Sequence, residues 1–321
     1  MDLDAALTVW EQNLAPQTGL AATSIAQYVR DARRFAAWLA EHAPVGSLAD
    51  VTTGDAREYR DALLCTGRAP ATINRALISL ALLCDAHGRR DDNPFRRIDP
   101  LETVEQAPQA LRRAEWNAVR RAAEQRVERD DGLALALICL MRYAGPRLGE
   151  VAALQLADVV LSARRGTIII RRGKGLKHRE VPLVIDAREP LQHYLAHRRR
   201  LADRWAQRAQ ARHHVAPAWA DWPHGHLFLG QRGPLTERGS REIVAQLGQA
   251  AKLDAPLKAH ALPQTFATAL LDPAAYGLAR PPASLPAVQA LLGHADIATT
   301  ACYTRASAAD LARMLGEPLE A

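Results

Sequence analysis

The sequence predicts a mainly α-helical chain of two domains, with a small antiparallel β-sheet in the second. In residues 23–42 the apolar side chains recur at helical spacing and form one face. A β-branched run at 166–170 is followed by a glycine-containing turn and a second short run at 179–184, the pattern of a hairpin. Residues 99–110 contain two prolines and lack apolar periodicity, as interdomain linkers do. The expected organisation is a helical domain over 1–98, a linker over 99–110 and a larger domain over 111–321.

Two more helices are predicted in the first domain. One spans 53–65 and is capped by Thr53 or Asp55, residue types that accept a hydrogen bond from the first helical turn. The other spans 69–87 and has Pro70 near its first turn, where the missing amide of a proline would have no partner in any case.

The second domain opens with helices over 111–126 and 132–143. Gly145 and Pro146 end the second of these. A short helix over 147–156 follows. The chain is therefore expected to change direction at Gly145 and Pro146, just before Arg147.

Composition limits the class of protein. The chain has 321 residues, 48% of them hydrophobic and 24% charged, which is typical of a globular protein. It contains no run of 18 uncharged apolar residues, and its acidic, amphipathic start is unlike a secretory signal, so no membrane segment or leader is expected. The net charge of +6 weakly favours a polyanionic partner. Four widely spaced cysteines favour free thiols in the cytoplasm over a zinc site.

Arg147 is the first of several polar residues in unusual positions. It follows a helix break and enters a new helix, where its guanidinium and the helix N-terminus could hold a phosphate together. The alternative is a surface arginine paired with Glu150 or Asp158.

The hairpin tip, residues 171–179, is basic and contains two of the four lysines in a chain that otherwise uses arginine. Lys174 or Lys177 can donate a proton where an arginine cannot, because a lysine pKa is tunable. The alternative is a solvated basic hairpin. Further on, His260 stands near a helix start, where a lone histidine usually has a structural role.

The last polar segment spans 291–305. His294 follows a glycine, Asp296 is a candidate helix cap, and Tyr303 lies nine residues after the histidine. A tyrosine alone is most often a core or surface aromatic residue.

The order of these residues resembles the tyrosine recombinase and phage integrase family, and within it the Xer-like site-specific recombinases. The family's signature runs Arg, Lys, His-x-x-Arg, His, Tyr. The block L-L-G-H-A-D-I-A-T-T-x-x-Y-T is its most specific part, and G-x-R-x-x-E and G-K-G-x-K-x-R-x-V-P-L precede it at the expected places. Residues 23–39 and 69–94 resemble the family's core-binding domain, so the resemblance covers nearly the whole chain.

The resemblance implies a role for each of five residues. Tyr303 attacks the scissile phosphodiester, forms a 3′-phosphotyrosyl bond and releases a 5′-hydroxyl. Arg147 holds the non-bridging oxygens, Lys174 protonates the leaving oxygen, His260 assists proton transfer at the tyrosine and His294 donates a hydrogen bond to the phosphate. No metal or other cofactor is implied.

Pro263 departs from the family pattern. It occupies the position of the second arginine in His-x-x-Arg, and Gln264 stands where a histidine is common. Either Arg280, in a segment that looks longer than usual, replaces the missing guanidinium, or cleavage is weakened. The alternative to an active site-specific recombinase is therefore a recombinase-like DNA-binding accessory protein with impaired catalysis.

The resemblance also implies partners. The chain is expected to close on double-stranded DNA as a two-domain clamp and to form a homo-tetramer on DNA, alone or with a second recombinase, without a membrane.

The arginine run at 198–200 with its downstream arginines is expected to be a solvated helix face, and the amphipathic tail over 307–319 could dock on a neighbouring protomer. Eight residues are expected to contact DNA: Arg68, Thr72, Asn74, Arg75, Arg172, Lys177, Arg238 and Arg241.

Overall fold

The computed structural model describes residues 3–18, 22–42, 47–103, 109–162, 164–171, 178–211, 225–230 and 233–292. The chain divides into two compact units, Met1–Glu105 and Gln106–Ala321. The predicted class is confirmed, because the described residues are mostly helical and include a small antiparallel sheet. None of the described helices is long and apolar enough to cross a membrane.

The described residues of the first unit are mainly helical. An aromatic cluster lies in its core, where the ring of Phe35 meets the rings of Tyr59 and Phe95 edge-on at centroid distances of 5.0 and 5.2 Å. All three side chains are buried. The helices are α1 (Leu3–Thr18), α2 (Ala22–His42), α3 (Thr53–Cys65) and α4 (Pro70–Ala86), with 3₁₀ turns at Leu48–Asp50 and Pro94–Arg97.

The cap of α3 differs from the prediction. Thr52, which precedes both expected caps, has extended backbone and accepts a hydrogen bond from the Asp55 amide through its hydroxyl at 3.2 Å. Asp55 returns the interaction by accepting from the Thr52 amide at 2.7 Å. Thr53 and Asp55 are the first and third helical residues, so the motif is a reciprocal capping box rather than a cap at either position.

Where the structure describes the second unit, helices are combined with two small antiparallel sheets. Its first elements are α5 (Arg113–Glu124), α6 (Val127–Asp130), α7 (Leu133–Ala144), α8 (Leu148–Ala153) and strands β1 (Val159–Leu161), β2 (Gly166–Ile170) and β3 (Arg179–Pro182). They are followed by α9 (Ile185–Ala211), β4 (Leu229–Gly230), β5 (Gly233–Pro234), α10 (Glu237–Ala250), α11 (Ala261–Leu271) and α12 (Leu285–Leu292).

Helix α7 forms the centre of the second unit. It packs against α9 and α11, and nearly all of its side chains are buried. It ends as predicted at Gly145, whose φ of 69° is a left-handed conformation that favours glycine. A side chain at Gly145 would also collide with the ring of Phe266 on α11. This glycine therefore lets α11 approach the point where the chain turns toward Arg147.

The three-stranded sheet has the order β1-β2-β3 and contains the predicted hairpin. Val159 and Val181 flank Ile168 on either side, and Ile168 and Val181 are buried. Strand β1 and the two-residue pair β4–β5 were not predicted, because two or three residues are too few to show an alternating pattern.

The expectation that 198–200 is a solvated face is wrong for its first residue. Arg198 is fully buried, and its guanidinium donates to the carbonyls of His226 and Leu227. Arg199 and Arg200 are exposed. The local sequence does not distinguish an arginine that is buried and bonded to main-chain carbonyls from an exposed one.

Candidate active site

Arg147 is the residue that caps the start of α8. Its amide donates to Glu150 Oε2 at 2.8 Å, and its Nη1 atom donates to Glu150 Oε1 at 3.2 Å. The expected alternative partner, Asp158, is instead bonded to Arg171 and to the Gln155 amide. The G-x-R-x-x-E spacing is therefore a capping box in which one carboxylate orients both the backbone and the guanidinium of the arginine.

His260 occupies the equivalent position at the start of α11 and is exposed. Partial desolvation of the ring lowers its pKa below the ordinary value of 6.5, and the positive charge of Arg147 lowers this pKa further. The charge of Arg147 thus reaches His260, and Phe266 of α11 packs against Gly145, two residues before Arg147. The starts of α8 and α11 are therefore near each other, although 112 intervening residues separate Arg147 and His260 in the sequence. The depressed pKa keeps the imidazole neutral near pH 7, as proton acceptance requires.

Pro263 lies in the first turn of α11 and is buried. An amide in this turn has no intrahelical partner, so the proline costs the helix no hydrogen bond. The fold accommodates the departure from His-x-x-Arg, but the position carries no guanidinium.

Arg280 lies at the opposite end of α11, where its Nη2 atom donates to the Ala269 carbonyl at 3.3 Å. At a rise of about 1.5 Å per residue, that carbonyl is roughly 12 Å along the axis from the helix start. The segment before it is anchored by Tyr276, whose hydroxyl donates to the Leu111 carbonyl at 3.0 Å. The possibility that Arg280 replaces the missing arginine is therefore wrong.

The first turn of α11 is also attached to the start of the second unit. Gln264 Oε1 accepts from the Gln109 amide at 3.0 Å, and the Thr265 hydroxyl accepts from the Leu111 amide at 2.8 Å. The side chain at 264 therefore stabilises the position of the helix.

Helix α10 begins next to α8. Thr236 caps it, and a side chain at Gly149 on α8 would collide with the Glu237 carboxylate. Arg238 and Arg241 lie in its first two turns, with 87% and 62% of their side chains exposed. Their ion pairs with Glu242 and Glu237, at 3.6 and 3.3 Å, are surface pairs of small energy, so both guanidinium groups are available to a stronger anion.

Arg238 also lines a groove of about 1210 Å³ on the second unit. Three acidic residues lie in the same groove, so its excess positive charge is small. Four other arginines line it: Arg126, Arg129, Arg204 and Arg208.

The expected contact residues of the first unit have different environments at the start of α4. Arg68 is exposed and Thr72 is half-buried in the first turn. Asn74 is occupied by two 2.8 Å hydrogen bonds, one from its amide to the Leu101 carbonyl and one from the Leu101 amide to its oxygen. Arg75 pairs with buried Asp31 at 3.1 Å.

Five residues predicted to act in the site lie outside the described residues, and so does the tail over 307–319. They are Arg172, Lys174, Lys177, His294 and Tyr303.

Comparisons with known proteins give the same family over both units. Residues 109–310 match the phage integrase family, and residues 7–86 match the phage integrase N-terminal SAM-like domain. Tyrosine recombinase XerC of Methylobacterium sp. (strain 4-46) is 30% identical, with 97% of this chain and 91% of that protein covered. Tyrosine recombinase XerD of Halalkalibacterium halodurans is 28% identical, with 90% and 88% covered.

Solved structures share the fold. XerH site-specific recombinase bound to palindromic difH substrate superposes with a TM-score of 0.67 at 21% identity, covering 91% of this chain and 79% of that one. The Tn1549 transposon integrase in complex with transposon right end DNA gives 0.66 at 20% identity, covering 100% of both chains. With a family match over most of its length, the chain belongs to the phage integrase family of tyrosine recombinases.

Proposed function

We propose that this chain is a site-specific DNA recombinase that cleaves and rejoins double-stranded DNA through a 3′-phosphotyrosyl bond to Tyr303. The observation that carries the proposal is the juxtaposition of Arg147 and His260, each at the start of a helix in the second unit. The Glu150 carboxylate holds the Arg147 guanidinium in place near a neutral histidine. A family member that only binds DNA would have no need for this arrangement.

The proposed reaction exchanges one phosphodiester for another. The Tyr303 oxygen attacks phosphorus as its proton passes toward neutral His260, and the bond from phosphorus to the 5′-oxygen breaks. Lys174 supplies the proton that the leaving 5′-oxygen takes up. The reverse attack by a 5′-hydroxyl from the partner strand restores the DNA and frees the tyrosine, so no external energy source is consumed.

Arg147 stabilises the charge that builds on the non-bridging oxygens, and His294 adds a hydrogen bond. The capping position of Arg147 supports this role, because the amides of the first helical turn and the guanidinium present positive charge together. With Pro263 in place of the second arginine, the clamp on the phosphate is weaker, and we propose slow cleavage rather than none.

Two surfaces are proposed to contact DNA. On the second unit, the exposed Arg238 and Arg241 would bind phosphates beside the site, with Arg172 and Lys177 of the hairpin tip. On the first unit, Arg68 and Thr72 lie at the start of α4, where helix amides also favour an anion. Asn74 and Arg75 remain candidates, although both side chains already have partners within the unit.

The assembly is proposed from relatives. The XerH and Tn1549 integrase structures hold DNA, and we propose that this chain closes on duplex DNA as a two-domain clamp. The proposed domains are 1–98 and 111–321, with a linker over 99–110. A homo-tetramer on paired sites, alone or with a second recombinase, would exchange the strands, and we propose that it does so in the cytoplasm.

The test is a nicked suicide substrate, which loses a short fragment on cleavage and traps the covalent intermediate. Its site is first selected from random duplex DNA by binding to the full chain. We expect a slowly forming, denaturant-resistant adduct with the unaltered protein and none with Tyr303→Phe. Gel shifts on the same duplex provide the control, because the phenylalanine variant should bind with unchanged affinity.

The alternative function gives a different result. A recombinase-like accessory protein would bind the duplex with the same steep salt dependence but form no adduct, whatever residue stands at 303. That outcome would overturn the proposed reaction and leave only DNA binding.

A further inference from the structure

Arg179, at the start of β3, connects two separate parts of the second unit through one buried guanidinium. Its Nη1 and Nη2 atoms donate to the two carboxylate oxygens of Glu150 at 2.9 and 2.7 Å. Its Nε atom donates to the Leu291 carbonyl at 2.9 Å. Only 8% of the Arg179 side chain and 6% of the Glu150 side chain are exposed, so water competes little for these bonds.

The Glu150 carboxylate is shared by two arginines. The same oxygens that face Arg179 also accept from the amide and Nη1 of Arg147. A bidentate arginine–carboxylate pair fixes the plane of the carboxylate as well as its distance. The direction in which Arg147 is held therefore depends on Arg179, which lies behind Glu150.

The third bond reaches the end of α12. Leu291 is the second-last residue of that helix, and its carbonyl is one of the last four, which lack an amide partner within the helix. A buried guanidinium satisfies this carbonyl and complements the negative end of the helix dipole. The chain reaches His294 three residues later.

We infer that Arg179 is a positioning residue for strand cleavage, which sets the distance between Arg147 and the segment that leads to His294. Arg179 does not touch the phosphate, and its effect on cleavage rests on the proposed function. A lysine in its place would keep the charge but has a single nitrogen, which cannot hold both carboxylate oxygens and the Leu291 carbonyl in one plane.

The first test uses the protein without DNA and reads the placement of Arg147 from the His260 ring. Because the charge of Arg147 lowers the His260 pKa, NMR titration of this ring reports how close the guanidinium stays. The His260 signal is assigned by its loss in His260→Gln. We expect the His260 pKa to rise toward 6.5 in Arg179→Lys and in Arg147→Gln, and to rise no further in the double variant.

Two results would overturn the inference. One is an unchanged His260 pKa in Arg179→Lys. The other is a rise of the same size in the Arg147→Gln background, since the effect would then not pass through Arg147. If Arg179→Lys does not fold, Glu150→Asp is used instead. It keeps the charge, shortens the side chain that carries the shared carboxylate and should raise the His260 pKa in the same way.

The second test measures adduct formation. Arg179→Lys should slow it by about 10- to 100-fold while DNA affinity stays unchanged. Arg198→Lys is the matched control, because Arg198 is also buried and bonded to carbonyls, and it should keep the full rate. If the unaltered protein forms no adduct, the proposed function fails, and the titration still decides the role of Arg179.

Discussion

At the scale of single residues, the main question is what Pro263 does to catalysis. The fold accepts the proline because the first turn of a helix has unpaired amides. In the proposed reaction the proline is unfavourable, because it offers no guanidinium to the negative charge that develops on the phosphate. Position 263 is therefore tolerated structurally, and under the proposed function its proline slows catalysis.

Restoring the arginine tests this conclusion. Pro263→Arg should accelerate adduct formation on the suicide substrate by a factor on the order of 10²–10³, the usual effect of one charge-stabilising donor. The rate constant is measured in single-turnover reactions with protein in excess over DNA.

Pro263→Ala is the matched control, since it restores the amide but adds no charge. An equal acceleration in both variants would mean that the proline acts through the backbone, and the missing guanidinium would then be irrelevant.

His260 gives a pH prediction. Desolvation and Arg147 lower its pKa below 6.5, so the neutral form that accepts the proton persists to more acidic pH than for an ordinary histidine. The rate of adduct formation should therefore fall on the acid side with a midpoint below pH 6.5. A midpoint above this value would show that desolvation and the charge of Arg147 do not lower the pKa of the ring. In His260→Gln the remaining activity should lose this acid limb.

At the scale of elements, the helix ends show how local chemistry sets boundaries. The capping box of α3 joins Thr52 and Asp55 through two reciprocal hydrogen bonds. Thr52→Ala should lower the free energy of unfolding by about 1 kcal/mol, measured by urea denaturation of the full chain. Thr53→Ala is the control and should have a much smaller effect. The reverse order of effects would place the cap at residue 53.

The elements that could be predicted from the sequence were those with repeated patterns or clear breaks. Helix α4 begins at Pro70 and α7 ends at Gly145, as their residue types indicate. Strand β1 is too short to show a period. The burial of Arg198 depends on the carbonyls of His226 and Leu227, which are distant in the sequence. Tertiary partners of this kind leave no local signal.

The candidate site was predicted through the order of its motifs, since no local pattern places Arg147 beside His260. The bonds of Arg179 to Glu150 and Leu291 were not predicted, because the local sequence does not distinguish an arginine in a buried ion pair from an exposed arginine in a hairpin. Substitution by Arg280 could be excluded only once its place at the far end of α11 was known.

At the scale of the whole molecule, DNA binding should depend steeply on salt, because each phosphate contact releases counterions. In gel shifts over a series of salt concentrations, replacing both Arg238 and Arg241 with glutamine should reduce the slope of log K against log salt by about 2. Arg33→Gln removes an exposed, paired arginine that belongs to neither proposed surface and should leave the slope unchanged. Equal slopes in all proteins would exclude α10 from the interface.

In the proposed reaction Tyr303 becomes joined to DNA, and mass spectrometry of the trapped adduct identifies the joined residue. The trapped adduct is digested with nuclease and trypsin, and the modified peptide is fragmented in a mass spectrometer. The tryptic peptide 259–305 contains two tyrosines, Tyr276 and Tyr303, because trypsin does not cut between Arg280 and Pro281. We expect a nucleotide 3′-phosphate on Tyr303. Its attachment to Tyr276 or to any other residue, or the absence of a modified peptide, would contradict it.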